Sequence, residues 1–201
     1  HKVIDIDTPE DYEFAERLFL LERQKKMANR IAIGTVQFGL DYGVANKTGQ
    51  VNIKEANEIL KFGDQAGIDT LDTSISYGVS EKSLGDVGVG KFKVVTKLPP
   101  IPPSTKNVDE RAYDQMQSSL VRMNLKTAYG LLVHDTSQLF GENGAKLAQA
   151  MISLKRQGLV HKIGVSAYGP EEVASVFQKF QVDIIQVPFN VFDRRISESK
   201  I

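Results

Sequence analysis

Thr70-Leu-Asp-Thr-Ser-Ile-Ser-Tyr-Gly78 is an apolar, β-branched run that breaks at Asp72 into a polar loop, and two further runs end in the same manner. Val94-Val-Thr-Lys97 finishes on a lysine, and Leu131-Leu-Val-His134 finishes on a histidine. Short apolar runs bounded by turn residues read as strands. Working outward, strands are predicted at Ile31–Val36, Thr70–Thr73, Lys93–Lys97, Tyr129–His134, Lys162–Ser166 and Asp183–Val187.

Helical patterns lie between these runs. Asn52 followed by Glu55 resembles a capping box, opening a helix that turns Ala56, Ile59 and Leu60 inward. Ala112, Met116, Leu120 and Met123 form one apolar stripe, and Leu147, Ala148, Met151 and Ile152 another that ends near Gly158. Pro170 suits a first helical position, with Val173, Val176, Phe177 and Phe180 on one face. Alternating strands and helices imply a parallel sheet covered on both faces.

An open doubly wound sheet and a (β/α)8 barrel both satisfy that order. The open sheet would be expected to carry G-x-G-x-x-G after its first strand; Gly34-Thr-Val-Gln-Phe-Gly39 is spaced differently. Polar residues instead gather at the carboxyl ends of successive strands, as they do at a barrel mouth. The expected fold is α/β, an incomplete (β/α)8 TIM barrel of about six of the eight βα units, with a short N-terminal helical extension.

Composition narrows the function. The chain of 201 residues balances 25 Lys+Arg against 25 Asp+Glu, so no strongly basic surface for nucleic acid or anionic membrane is expected. No apolar run approaches the ~20 residues needed to cross a bilayer, so no membrane partner is expected. Cysteine is absent, which removes disulfides and thiolate metal sites and fits a reducing cytoplasm. His134-Asp135 could suggest a metal, but no second histidine or carboxylate cluster completes a ligand set, so no metal site is expected. His161, just past Gly158, reads as a surface residue. The ends, His1-Lys-Val-Ile-Asp and Ser199-Lys-Ile201, suggest a piece of a longer protein.

Asp72, Tyr77, Lys97 and His134 form a coherent chemical set. A phenol with pKa near ~10 is a poor acid unless its anion is stabilised, and a nearby ammonium stabilises it. A carboxylate holds that ammonium in place, and an imidazole can orient a carbonyl oxygen. Together the four would deliver a proton to an oxygen becoming an alkoxide, as carbonyl reduction by hydride requires.

These residues bring a family into view. Asp72-Thr-Ser-Ile-Ser-Tyr-Gly78, followed by Ser80-Glu81 and Leu84-Gly85, resembles the D-T-A/S-x-x-Y-G-x-S-E-x-x-L-G signature of the aldo-keto reductases. Lys97 and His134 fall where that family has its catalytic lysine and histidine. The resemblance implies a barrel that binds NADPH (NADH not excluded) and reduces an aldehyde or ketone, a small-molecule substrate that the fusion discussed below suggests is sugar-related. By it Tyr77 would be the general acid, Lys97 would lower its pKa, Asp72 would pair with Lys97, and His134 would orient the carbonyl. Gly34, Thr35, Asp72, Ser166 and Gln186 would line or hold the nicotinamide. Ala167 stands where many relatives have asparagine. The strands and loops that grip the cofactor's phosphates in the family are not in this chain, so the six-unit piece alone is expected to be inactive.

Residues 1–29 have a separate affinity. Val3-Ile-Asp-Ile-Asp-Thr-Pro-Glu-Asp-Tyr-Glu-Phe-Ala-Glu-Arg-Leu18 resembles the C-terminal end of acylneuraminate-type cytidylyltransferases. The implied organisation is a nucleotidyltransferase-like tail and linker over 1–29, then an NADP-dependent oxidoreductase domain over 30–201 that is C-terminally incomplete. A covalent fusion to a cytidylyltransferase of surface-sugar biosynthesis would follow. The rival reading is a non-catalytic barrel, a binding or regulatory module attached to such a cytidylyltransferase.

Overall fold

The computed structural model describes residues 30–199, with Arg17 and Leu20 ahead of them. The tail assigned to 1–29 and its helical extension lie outside the described residues, except that Arg17 and Leu20 are helical and exposed.

Six strands alternate with helices in the predicted order. They are β1 (Ala32–Gly34), β2 (Thr70–Asp72), β3 (Lys93–Leu98), β4 (Ala128–Val133), β5 (Val160–Ser166) and β6 (Ile184–Gln186). Between them run α1 (Ile53–Gln65), α2 (Ser80–Val87), α3 (Val108–Met123), a short α4 (Ser137–Phe140), α5 (Gly144–Arg156) and α6 (Pro170–Lys179); α7 (Arg195–Glu198) follows β6. Every pairing is parallel, and the strands lie side by side in chain order. β3 and β4 are buried on both faces, the mark of a parallel sheet sheathed by helices.

The sheet curls. Four strand spacings of about 4.8 Å would set β2 and β6 roughly 19 Å apart in a flat sheet. Yet Gln186 Nε2, at the end of β6, donates to Asp72 Oδ1, at the end of β2, over 3.1 Å. Ile184 likewise reaches across the interior toward Gly130 of β4, where a Cβ would stand 2.9 Å from its side chain. The architecture is therefore an incomplete (β/α)8 barrel with six of its units.

Local chemistry sets the helix boundaries. Asn52 Oδ1 accepts the Glu55 N–H at 3.0 Å and so caps α1, as the capping pattern predicts. Asn107 caps α3 in the same way at 3.3 Å, and its amide donates back to Glu110 at 2.8 Å. Asn124 ends α3 in the left-handed region, and Pro170 opens α6.

Two inward faces are rotated from the predicted ones. On α5 the buried residues are Leu147, Ala150, Met151 and Leu154, while Ile152 is 39% exposed. Each residue turns the helix by about 100°, so a face centred on Leu147 and Met151 collects 150 and 154 and expels 152. Phe177 is 57% exposed at the margin of the Val173–Val176 stripe for the same reason. The first strand is shorter than predicted, because Val36–Phe38 tightens into a 3₁₀ turn. His161 is exposed, as expected.

Candidate functional site

The polar ends of β2, β3, β4 and β6 meet at one mouth. Lys97 is buried at the carboxyl end of β3, and its ammonium has three neighbours. Nζ donates to Asp72 Oδ1 at 2.6 Å, to the Thr73 carbonyl at 2.9 Å and, at the long distance of 3.5 Å, to the Tyr77 hydroxyl. The Tyr77 ring meets the His134 ring edge-on, with centroids 6.1 Å apart. Ser74 Oγ lies 3.4 Å from His134 Nδ1 and accepts the Ser76 N–H at 3.1 Å, which steadies the loop leading to Tyr77. All four residues singled out in the sequence thus converge.

A cavity of about 250 Å³ opens beside them, lined by Tyr77, Lys97, His134, Ser166, Tyr168 and Gln186 among others. Ser166 and Gln186 both line it, at the ends of β5 and β6. Gln186 spends its amide N–H on Asp72, while its Oε1 is buried with no partner among the described residues. A buried acceptor without a donor is costly, and a carboxamide N–H entering the cavity would satisfy it. The residues present fit a nicotinamide in this respect.

Gly34 and Thr35 do not line that cavity. Thr35 is 0% exposed, and its groups are engaged within the protein. Its N–H and hydroxyl both donate to the Asp72 carbonyl, at 2.9 and 3.0 Å, and its carbonyl accepts from Ser80 Oγ at 2.8 Å. Ser80 Oγ also lies 3.1 Å from Thr73 Oγ1. This hydroxyl cluster fastens the ends of β1 and β2 to the start of α2, directly behind Asp72.

A second anchor was not read from the sequence as a site feature. Glu81, 2% exposed, accepts from Thr96 Oγ1 at 2.8 Å, from Ser119 Oγ at 2.6 Å, and from Arg122 Nε and Nη2 at 2.9 and 2.6 Å. It ties α2, which follows the Tyr77 loop, to α3 and to the residue beside Lys97. Ser119 was the available signal, a hydroxyl lying on the apolar stripe of α3 between Met116 and Met123.

The Tyr77 loop is also clasped by backbone. Gly78 adopts φ +55°, and Gly39 packs so closely that a Cβ there would collide with the Tyr77 carbonyl and the Ser80 N–H. Gly39→Ala is therefore expected to displace the Tyr77 loop and cost about 1–3 kcal/mol, read as a lower urea midpoint. An unchanged midpoint would show that the loop yields freely.

Burial dominates the electrostatics. It pushes the Tyr77 phenol up to about 12, with the Asp72 carboxylate adding to the rise. The resemblance had implied a lowering by Lys97; here burial first, and then the Asp72 carboxylate, displace the phenol upward. Burial lowers Lys97 from the ordinary lysine value, while Asp72 opposes the change. It also lowers His134, helped by the Lys97 charge.

The His134 shift gives a stability prediction. Below the unfolded value of about 6.5 the unfolded chain takes up a proton that the folded imidazole refuses, so stability falls as pH drops through that window. His134→Gln should flatten this part of the decline, measured as urea midpoints at about pH 7.5 and 5.5. An equally steep decline in the variant would remove His134 as its cause.

Residues 30–201 match the model of the Aldo/keto reductase family. The chain belongs to this family. It is 26% identical to an aldo-keto reductase structure from Pseudomonas aeruginosa, with a TM-score of 0.69, over 83% of this chain and 66% of that one. An aldo-keto reductase of Bacillus halodurans in its holo form gives 18% identity and a TM-score of 0.67, over 84% and 56%. One from Bombyx mori, solved in complex with NADP, gives 20% and 0.61, over 83% and 57%. The latter two likenesses concern the fold. The chain spans 56–66% of the length of these three structures. Comparison with curated proteins gives no match. Among the described residues no helix is long and apolar enough to cross a membrane, and no group of three His, Asp or Glu is placed to hold a metal.

Proposed function

We propose that the six units belong to a complete barrel that reduces an aldehyde or ketone with NADPH, with Tyr77 as the general acid. The observation that carries this reading is Lys97 Nζ placed between Asp72 at 2.6 Å and the Tyr77 hydroxyl at 3.5 Å, with His134 beside the same ring.

Bound at this mouth, the reduced nicotinamide would supply the hydride to the carbonyl carbon. The chain's own residues attend to the oxygen. Because Lys97 donates to the phenol oxygen, the phenol's hydrogen is directed away from the ammonium and toward the cavity. His134, held neutral by burial, can hydrogen-bond the carbonyl oxygen and set its angle. As the carbon–oxygen π bond gives way, negative charge builds on that oxygen. Tyr77 then breaks its O–H bond and delivers the proton there. A phenol near 12 is a weak acid, yet an alkoxide is a stronger base still, since its parent alcohol, like water, is a far weaker acid than a phenol. The phenolate left behind faces the Lys97 ammonium, which Asp72 keeps in place. Ser166 and the orphaned Gln186 Oε1 are proposed to hold the carboxamide of the cofactor; Gly34 and Thr35, outside the cavity's lining, are proposed to meet the ring only through the backbone at the rim of the mouth.

This assignment fixes a pH dependence. The donor must be protonated, so activity is lost as pH rises through the Tyr77 value. With that value near 12, kcat should show no loss due to Tyr77 between about pH 7 and 10. An alkaline limb centred near pH 8 that vanishes in Tyr77→Phe would overturn it.

Three finer parts belong to the same proposal. NADPH is preferred over NADH by family habit. Residues 1–29 form the end of a cytidylyltransferase-like domain fused to the reductase, which makes a sugar-related carbonyl the natural substrate. The setting is cytoplasmic, in keeping with the absence of cysteine.

A further inference from the structure

A neutral imidazole carries one hydrogen, on Nδ1 or on Nε2, and the bond made by one nitrogen decides what the other can offer. Burial and the Lys97 charge favour the neutral ring at His134, with Asp72 and Asp135 opposing them less. Its Nδ1 faces Ser74 Oγ at the long distance of 3.4 Å. Among the described residues no group bonds Nε2, and that atom is not one of the buried orphans. It therefore opens onto the cavity that His134 lines with Tyr77 and Lys97.

Ser74 is 1% exposed and firmly held. On either side of it the β2–β3 ladder continues past Asp72: the Thr73 N–H donates to the Val95 carbonyl at 2.9 Å, and the Ile75 N–H to the Lys97 carbonyl at 3.3 Å. The Ser74 carbonyl accepts the Tyr77 N–H at 3.0 Å, and its Oγ accepts the Ser76 N–H at 3.1 Å. The hydroxyl's own hydrogen must still find an acceptor, because a buried donor left unpaired is costly. Among the described residues the acceptor within reach is His134 Nδ1. Were Nδ1 protonated instead, two donors would converge on Oγ and the hydroxyl hydrogen would have no partner.

Resting on the reading of this mouth as a site of carbonyl reduction, we propose that Ser74 is a positioning residue that fixes the tautomer of His134. Its hydroxyl donates to Nδ1, which keeps the imidazole hydrogen on Nε2, where it can be donated to the carbonyl oxygen. The opposite tautomer would turn a lone pair toward that oxygen and offer it no donor. Ser74 thereby serves both groups that attend to the oxygen: its carbonyl holds the Tyr77 backbone, and its hydroxyl orients the His134 ring. Hydrogen bonds that are long in an empty site tighten when substrate is bound, and the 3.4 Å separation leaves room for that.

The test reads the tautomer itself, by nitrogen NMR of the full protein labelled at histidine, at about pH 7.5, above the ordinary imidazole value. The His134 signals are those lost in His134→Gln. In the unchanged protein Nε2 should carry the hydrogen and Nδ1 none. Ser74→Ala frees the N–H of Ser76, an exposed residue that can turn to water, so the variant should fold. Its two His134 nitrogen shifts should draw together as the tautomers exchange. The same variant should lower kcat/KM for reduction of glyceraldehyde by about 3–10-fold, the worth of one hydrogen bond, with NADPH affinity unchanged. A hydrogen on Nδ1 in the unchanged protein, or a Ser74→Ala spectrum identical to the original, would overturn the inference while leaving the reductase reading intact. An imidazole fixed with its hydrogen on Nε2 in a protein that reduces no carbonyl compound would remove that reading, and the role given to Ser74 with it.

Discussion

Tyr77→Phe in the full protein should lower kcat for carbonyl reduction by about 10²–10⁴-fold while leaving NADPH affinity within a few-fold of the original. The substitution removes one hydroxyl and keeps the ring, so the edge contact with His134 and the wall of the cavity persist. What disappears is the only O–H placed against Lys97 among the described residues, and with it the proton for the developing alkoxide. Steady-state kinetics and a cofactor titration of the same preparation separate the two effects. A variant with full turnover would remove Tyr77 from its role. A variant that turns over normally when saturated but binds NADPH poorly would make Tyr77 a cofactor contact instead.

Arg122→Ala should be the most damaging change away from the mouth, costing about 3–5 kcal/mol of stability. It strips the cation from Glu81, a carboxylate only 2% exposed, and leaves that charge buried with two hydroxyl donors. Glu81→Gln with Arg122 retained should cost less, about 1–3 kcal/mol, because the buried group is then neutral. Urea denaturation of both variants ranks them. Equal and small losses would mean that water reaches Glu81 and solvates it. The change should also slow catalysis, since Glu81 joins the helix behind the Tyr77 loop to the residue next to Lys97.

Features of the site written along the chain were legible in advance. Strand positions followed from apolar runs, and a lysine, a histidine and an aspartate each closing such a run pointed to one mouth. A parallel barrel turns that linear fact into proximity, and Lys97 does reach both Asp72 and Tyr77. Features created only by curling were not legible. Gln186 lies 114 positions from Asp72, and nothing local to either residue announces their hydrogen bond. The bonds by which Thr35 ties two strand ends together were equally silent in the sequence, since their partners lie 37 and 45 positions away. The depth at which Tyr77 is buried, and hence the upward displacement of its phenol, depends on residues from several loops at once. Helix faces were read correctly where the stripe was long, as on α3, and drifted where adjacent apolar pairs such as Met151-Ile152 left the phase open.

The central claim is that this mouth carries out hydride reduction of a carbonyl with proton delivery from the protein. It is tested most directly by supplying the full protein with NADPH deuterated at its transferable position and with glyceraldehyde, then analysing the alcohol formed. The account predicts one deuterium on the former carbonyl carbon, a hydroxyl proton from solvent, and no deuterated product from Tyr77→Phe on the same timescale. Alcohol formed without deuterium at that carbon, or formed equally fast by Tyr77→Phe, would contradict it.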